Sequence, residues 1–566
     1  MNYQETFEIW KKQADPETAA ELSALSDPAE IQDRFYRELE FGTGGLRGVM
    51  AAGTNRMNTY VIGKATQGLA EYIREQGDSA RRRGVVIAYD SRNHSADFAQ
   101  RAAQVLLANG VNTYLFESLR PTPMLSFAVR YLKAFAGIVI TASHNPAEYN
   151  GYKVYFEDGG QLPPSVSDRI LHYIDRIDPF AVKDQVPQEK EEGIALHIIG
   201  KEVDDAYIRE VKKQAIHPEL DKTGYKLVYT PLHGSGNLPV RRILKETGFE
   251  DVLLVKEQVE PDGNFPTVKS PNPENKECFT QAIALAKENN CDLIIGTDPD
   301  SDRVGIVVRN QKGNYITMTG NQVGALLTNY VLSQKKAQGI LPANGAVVST
   351  IVTTGMLQSI CDEYGVKFFQ TLTGFKFIGE KIHEFEQEQS YTFLLGLEES
   401  YGYLAGTYAR DKDAVVASML IAEMAVFYHK QGKTLYDVMQ ELYRQHGFYL
   451  EETVSVTLKG MDGAEKIQTL MAKFRSEIPA ALGGYAVCGL NDYKTGKGVQ
   501  NGKGYSLELP KSDVLQFLFA NGSTFVVRPS GTEPKIKLYY MIREKDALQA
   551  QAMLAALQEE ISDFMA

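Results

Sequence analysis

The sequence predicts three consecutive α/β domains with mixed, mainly parallel sheets, followed by a smaller C-terminal α+β domain. Three observations lead there. A chain of 566 residues is longer than a single hydrophobic core can serve, so several domains are required. Short apolar strands alternate with amphipathic helical stretches, which is the rhythm of parallel α/β construction. From Thr453 onward that rhythm gives way to a strand–loop–strand segment, STFVVRPSGTEPKIKLYYM, and a final helix rich in Ala, Leu and Gln.

Residues 4–38 carry charge-rich, helix-forming sequence and predict a helical lead-in. The glycine-dense FGTGGLRG at Phe41–Gly48 then predicts a loop. Strands are expected at Gly84–Tyr89 and Gly137–Thr141, with a helix at Phe98–Asn109 between them. The rhythm returns with strands at Lys226–Thr230, Asp251–Val255 and Asp292–Gly296, and again at Ala346–Val352, Lys367–Phe369 and Phe393–Gly396. Three units in series place the domains at 1–205, 206–315, 316–447 and 448–566.

The composition is that of a packed globular protein, 43% hydrophobic and 23% charged, and not that of a disordered chain. A net charge of −12 argues against nucleic acid or an anionic membrane as partner, because both are polyanions that select basic surfaces. The N-terminus lacks the apolar stretch of a secretion signal. The longest apolar run, Ala414–Tyr428, is too short to span a bilayer and is interrupted by Glu423, so it reads as a buried helix. Cys278, Cys291, Cys361 and Cys488 have no CxxC spacing, which indicates neither a zinc site nor a disulfide framework. A reducing cytoplasm fits.

Four motifs carry chemistry. TASHNP at Thr141–Pro146 follows the strand GIVI directly, where open α/β sheets place their ligands. Ser143 there can accept a phosphoryl group, with His144 adjacent, although such a string also serves to terminate a strand or cap a helix. GTDPDSDRVG at Gly296–Gly305 sets Asp298, Asp300 and Asp302 at alternate positions of a tight loop after CDLII. Three hard carboxylates so spaced can converge on Mg²⁺, whereas a solvated acidic turn needs no such regularity. An EF-hand is excluded, because its sixth position would be Arg303 and its twelfth Arg309.

The third motif, GLEESYGY at Gly396–Tyr403, offers Glu398 and Ser400 as acceptor and donor for vicinal sugar hydroxyls. In the fourth, RPSGTEPK at Arg528–Lys535, Arg528 supplies a bidentate fork, and Ser530, Gly531 and Thr532 supply hydroxyls and close backbone N–H groups. The bland readings are a polar turn and an ordinary hairpin. GFKFIGEK at Gly374–Lys381 is no P-loop, since Glu380 stands where lysine is required. FGTGGLRG lacks the strand–glycine–helix order of a dinucleotide fingerprint, and its Arg47 is of more interest than its glycines.

Taken together and in this order, the four loops resemble those of the α-D-phosphohexomutase superfamily. The likeness covers about residues 38–540, and FGTGGLRG, PTPMLSFAVR, EYNGYKVY, TPLHGSGN, LTGFKFIGEKI and ARDKDAV are most similar to its bacterial phosphoglucomutase branch. The metal loop reads DPDSDR where other branches have DGDGDR, a change confined to the spacers. The resemblance implies four domains around a central active-site cleft. It also implies a phosphorylated Ser143, and a metal, Mg²⁺, held by Asp298, Asp300, Asp302 and the Ser143 group. Arg47 would contact the phosphoserine. Lys153, Arg303 and His144 would lie nearest the transferring phosphate. Thr373, Gly374 and Lys376 would join Glu398 and Ser400 on the sugar, and Arg528 with its loop would hold the other phosphate. Which group is the general base is left open by the motifs.

The implied reaction passes phosphate from Ser143 to glucose 1-phosphate, giving glucose 1,6-bisphosphate, which turns end for end and returns its other phosphate. Mannose and pentose phosphates are the alternative substrates within the superfamily, and ARDKDAV tilts the reading to glucose by resemblance. Outside it stand a haloacid-dehalogenase-type phosphatase, with Asp298 as nucleophile, and a non-catalytic sugar-phosphate-binding or calcium-binding regulator. A small-molecule sugar phosphate is the expected partner and a monomer the expected state.

Overall fold

The computed structural model describes residues 2–42, 45–187, 191–457, 463–476, 479–529 and 535–565. The lead-in forms three helices, Tyr3–Gln13, Pro16–Ala24 and Pro28–Phe35, each opened by an Asn or Asp whose side chain accepts backbone N–H bonds of the first turn. Proline follows the cap in the second and third, where its missing N–H costs nothing. These helices bury Trp10, the chain's one tryptophan, edge-on against Tyr60 and Phe180 at 5.2 and 5.3 Å, which fixes the lead-in to the first domain.

The first sheet has the spatial order Gly45–Val49, Tyr149–Phe156, Ala136–Ile140, Val85–Tyr89, Thr113–Phe116, Leu196–Ile199. Its last four strands are parallel and the first two antiparallel. The expected loop at Phe41–Gly48 is therefore corrected: from Gly45 onward it is an edge strand, with Arg47 opposite Gly151. Its glycines disguise it. A Cβ at Gly45 would stand 2.4 Å from the carbonyl oxygen of Tyr152, so the close strand pairing itself demands a residue of low strand propensity. Thr43 and Gly44 lie outside the described residues.

The second sheet runs Tyr315–Thr317, Val304–Arg309, Leu293–Thr297, Leu227–Thr230, Val252–Leu254, and the third Lys367–Thr371, Gly345–Thr350, Thr392–Glu398, Gly402–Leu404. Both mix parallel and antiparallel pairs. The fourth domain is antiparallel throughout, with Thr524–Pro529 between Lys535–Glu544 and Leu515–Phe519. The helix Ala547–Met565 covers one of its faces, sealing Leu554 and Leu557 against Phe525 and Ile536.

One continuous core joins the first three domains, from Val86 and Tyr155 through Tyr229 and Ile295 to Leu397 and Val415. At its centre lies the helix Ala414–His429, apolar all round as the sequence predicts. Its buried Glu423 accepts bonds from the Ile216 N–H at 2.9 Å and the Tyr330 hydroxyl at 3.0 Å, so the carboxylate is satisfied from two other elements and the helix stays inside. Among the described residues no helix is long and apolar enough to cross a membrane.

Candidate active site

In each of the first three domains a central strand ends in one of the polar motifs: Ala136–Ile140 leads into Ser143, Leu293–Thr297 into Asp298, and Thr392–Glu398 into Ser400. Strand ends of open α/β sheets are where backbone direction and helix packing leave room for a ligand. Ser143 is buried at 3% exposure and adopts φ +54°, a left-handed conformation uncommon for a residue with a Cβ. Its hydroxyl donates to Asp298 Oδ2 at 2.9 Å, and His144 Nδ1 stands 3.1 Å from Ser143 Oγ.

Asp298, Asp300 and Asp302 are fully buried or nearly so, and one carboxylate oxygen from each lies within 4.8 Å of the others. At that spacing each like-charge pair costs about 3.5 kcal/mol in a medium of effective dielectric 20. Asp298 Oδ1 accepts from the Asp302 and Arg303 N–H groups at 3.1 and 2.9 Å. Asp300 Oδ2 accepts from Thr122 Oγ1 at 2.8 Å and Lys153 Nζ at 3.0 Å. Asp300 Oδ1 and Asp302 Oδ1 are buried with no hydrogen-bond partner. Two orphaned hard oxygens within a carboxylate triad fit a divalent cation, the one partner that would satisfy both at once.

The cluster splits its own titration. Burial, with Asp300 and Asp302 beside it, pushes the Asp298 carboxyl well up. At Asp302 burial pushes the same way but is outweighed by Lys412, Lys153 and Arg303, and the carboxyl is held low. His144 is driven well below the ordinary histidine range by burial and then by Arg303 and Arg47, so it is neutral beside Ser143. Arg303 pairs with Glu274. Arg47 donates to Asn145 Oδ1 at 3.4 Å, within the serine loop.

Lys412 was not legible as a site residue, although ARDKDAV contains it. Its ammonium sits 3.2 Å from Asp302 Oδ2 and 3.0 Å from Asp411 Oδ1. The whole segment ties the domains together. Arg410 N–H donates to Ser126 Oγ at 2.8 Å, Asp411 accepts from the Tyr155 hydroxyl at 2.6 Å, and the Ala414 N–H reaches the Ser301 carbonyl at 3.1 Å. The signal in the sequence was a run of four charges, Arg410–Asp413, abutting the most apolar helix. Gly402 makes room for the lysine: a Cβ there would meet Lys412 Cδ at 2.0 Å and Cγ at 2.6 Å. Gly402→Ala is therefore expected to displace the ammonium from Asp302 and lower kcat by about tenfold or more, with a stability loss of about 1–3 kcal/mol; steady-state kinetics and a thermal melt check both.

In the third domain Glu398 Oε1 accepts from the Gly374 N–H at 2.9 Å, with Gly374 at φ +117°, a conformation reserved for glycine. Burial raises the Glu398 carboxyl, opposed by Lys412 and Arg303. Thr373, Lys376 and Ser400 are half-buried. Lys376 is pushed down by burial and by the neighbouring charge of Arg528, against Glu380. Arg528 stands opposite Lys537 in the fourth sheet. Ser530, Gly531 and Thr532 lie outside the described residues.

Three α/β domains presenting strand-end loops to one another, with a serine hydroxyl on a carboxylate triad, define the architecture of the α-D-phosphohexomutases, which are intramolecular phosphotransferases. Models of the four domains of the phosphoglucomutase/phosphomannomutase family, three of α/β/α type and a C-terminal one, match residues 38–180, 205–313, 319–446 and 475–558 in that order. The chain belongs to this family. A phosphoglucomutase of Staphylococcus epidermidis is 40% identical over 514 residues, covering 90% of this chain and 92% of that one. A Staphylococcus aureus phosphoglucomutase is 37% identical over 542 residues, covering 95% and 96%. The open form of pp63/parafusin, a phosphoglucomutase from Paramecium, shares the fold with a TM-score of 0.67 at 18% identity, over 94% of this chain and 95% of that one.

Proposed function

We propose that this chain interconverts α-D-glucose 1-phosphate and glucose 6-phosphate through phospho-Ser143 and a glucose 1,6-bisphosphate intermediate. The observation that carries it is the Ser143 hydroxyl 2.9 Å from Asp298, inside a buried carboxylate triad. The curated staphylococcal relatives support glucose over mannose or pentose phosphates. The reading with Asp298 as the phosphorylated group leaves that serine contact without a role.

In the forward half-reaction the bond from Ser143 Oγ to phosphorus breaks as the C6 hydroxyl oxygen of glucose 1-phosphate forms a new one. The hydroxyl proton ends on Ser143 Oγ, which then donates a hydrogen bond to Asp298 Oδ2, the contact seen in the structure. Asp298, Asp300, Asp302 and the Ser143 group would hold Mg²⁺, which when bound supplies positive charge to the transferring phosphoryl oxygens. Lys153 and Arg303 add positive charge at the same place, Arg47 steadies the serine loop through Asn145, and neutral His144 faces the serine oxygen. Glu398 and Ser400, with Thr373, Gly374 and Lys376, recognise the sugar in either orientation. Arg528, with Ser530, Gly531 and Thr532, cradles whichever phosphate is not reacting. Domain limits at residues 205, 315 and 447, a monomeric state and a cytoplasmic setting with its cysteines reduced complete the proposal.

A coupled assay on glucose 1-phosphate, mannose 1-phosphate and ribose 1-phosphate, with Mg²⁺ and catalytic glucose 1,6-bisphosphate, tests the reading. Turnover of glucose 1-phosphate in no condition would sink it. The shared cradle makes a separate prediction. Arg528→Ala should raise KM for glucose 1-phosphate and glucose 6-phosphate alike, on the order of ten to several hundredfold, as expected when a charge-assisted fork of about 1.5–3 kcal/mol is lost. Arg528→Lys should recover part of it, an ammonium being unable to reproduce the planar fork. An effect on one substrate alone would show that Arg528 serves a single orientation.

A further inference from the structure

Ser143 is held by its backbone as much as by its neighbours' side chains. Its N–H donates to Thr141 Oγ1 at 2.8 Å, and its carbonyl accepts from Arg92 Nη2 at 2.6 Å. The same guanidinium reaches three further carbonyls of the loop: Asn145 through Nη2, and Pro146 at 2.8 Å and Tyr149 at 3.1 Å through Nη1. Arg92 is 3% exposed and its side chain fully buried, so this is no surface contact. Asp90 closes the frame. Its Oδ2 accepts from Thr141 Oγ1 at 2.6 Å, and its Oδ1 from the Arg92 N–H at 3.0 Å and Ser95 Oγ at 2.8 Å. Both main-chain groups of Ser143 are thus fixed by one pair, Asp90 through Thr141 and Arg92 directly.

The serine needs that frame. A residue with a Cβ keeps a left-handed backbone only where its surroundings over-determine it, and Ser143 holds φ +54° with its hydroxyl donating to Asp298. The second domain backs the frame from behind: the Arg92 guanidinium lies 5.0 Å over the ring of buried Phe265, Asn93 Nδ2 donates to Asn264 Oδ1 at 2.9 Å, and Ser270 Oγ donates to the His144 carbonyl at 2.6 Å. A planar fork with five donors can serve four carbonyls in two directions; a lysine ammonium, with three donors on one point, cannot.

We infer that Arg92, oriented by Asp90, is the positioning residue that sets the Ser143 oxygen for in-line phosphoryl transfer. The inference rests on the reading of Ser143 as the phosphoryl carrier; the Arg92 guanidinium is fully buried and spends its donors on main-chain carbonyls of the serine loop. Its loss therefore acts on the chemical step and leaves binding alone. A misplacement of about 1 Å at the reacting atom lowers rate on the order of a hundredfold.

The test is Arg92→Lys in the full-length enzyme with Mg²⁺ and glucose 1,6-bisphosphate. Expected are a kcat lower by on the order of a hundredfold and a KM for glucose 1-phosphate within about threefold of wild type. The rate at which the bisphosphate phosphorylates Ser143 should fall by the same factor. A purely structural arginine would lower the melting temperature without that split. A kcat within about threefold of wild type, or a loss confined to KM, overturns the inference. If Arg92→Lys is insoluble, Asp90→Asn replaces it, keeping the shape and removing the charge that orients Arg92; a kcat-selective loss of about tenfold supports the inference and an unchanged kcat overturns it. Wild-type enzyme run alongside separates the two levels, since failure of wild type to phosphorylate Ser143 or to turn over would sink the functional reading itself.

Discussion

Ser143→Ala is expected to remove mutase activity by at least about ten-thousandfold, the scale seen when a covalent nucleophile is deleted, while leaving the fold intact. Alanine and serine suffer alike in the left-handed region, so the φ of +54° adds no new strain. The methyl group fits where the hydroxymethylene stood, and Asp298 keeps its two backbone donors, the N–H groups of Asp302 and Arg303. The loss is then chemical: no oxygen remains to carry phosphate between the half-reactions. Intact-mass analysis of wild type incubated with glucose 1,6-bisphosphate should find one phosphate, mapped to the TASHNP peptide, and none on the variant. A well-folded Ser143→Ala enzyme with more than about a hundredth of wild-type turnover would show that Ser143 is not the carrier.

What the sequence made legible, and what it hid, divides along physical lines. The strands leading into Ser143, Asp298 and Ser400 were readable because they are continuous apolar runs buried on both faces, with polar punctuation at their ends. The aspartates were readable because alternate spacing in a tight loop is a local property. Lys153 came only through the likeness of EYNGYKVY to known relatives; it reaches Asp300 by lying on an antiparallel strand next to Ala136–Ile140. The edge strand bearing Arg47 was missed because close pairing forced glycine where strand formers are expected. Lys412, Asp90 and Arg92 were hidden for a different reason. Each acts across more than fifty residues of chain or between domains, and nothing within a local window distinguishes a charge that will be buried from one that will face water. Asp90 and Arg92 did leave one trace, an Asp and an Arg two apart directly after the strand VVIAY, the same strand-end position that marks Ser143 and Asp298.

Chelation, and separately Asp300→Asn, are expected to lower kcat by at least about a hundredfold through lost charge stabilisation of the transferring phosphoryl group. Without a cation the carboxylate carries a cost in stability. Three carboxylates within 4.8 Å, when all are ionised, repel by about 3.5 kcal/mol per pair at an effective dielectric of 20. Lys153 pairs with Asp300 and Asp302 and Lys412 with Asp302, yet Asp300 Oδ1 and Asp302 Oδ1 still lack a hydrogen-bond partner. A fold seeking only stability would replace such a group with an apolar residue of similar volume. A bound divalent cation reverses the balance, and because it binds the folded chain it stabilises by mass action, about 2.7 kcal/mol at a free concentration a hundred times its Kd. Two measurements then move together. Wild type should melt higher with Mg²⁺ than with a chelator, and its activity should return when Mg²⁺ is restored. Asp300→Asn should lose both the activity and most of the Mg²⁺-dependent rise in Tm, since an amide is a weaker ligand and Lys153 then has only Asp302 to answer. Full activity in excess chelator, or an undiminished Mg²⁺ shift in Asp300→Asn, would mean that the triad is not a metal site and that Lys153, Lys412 and Arg303 alone neutralise the phosphoryl group.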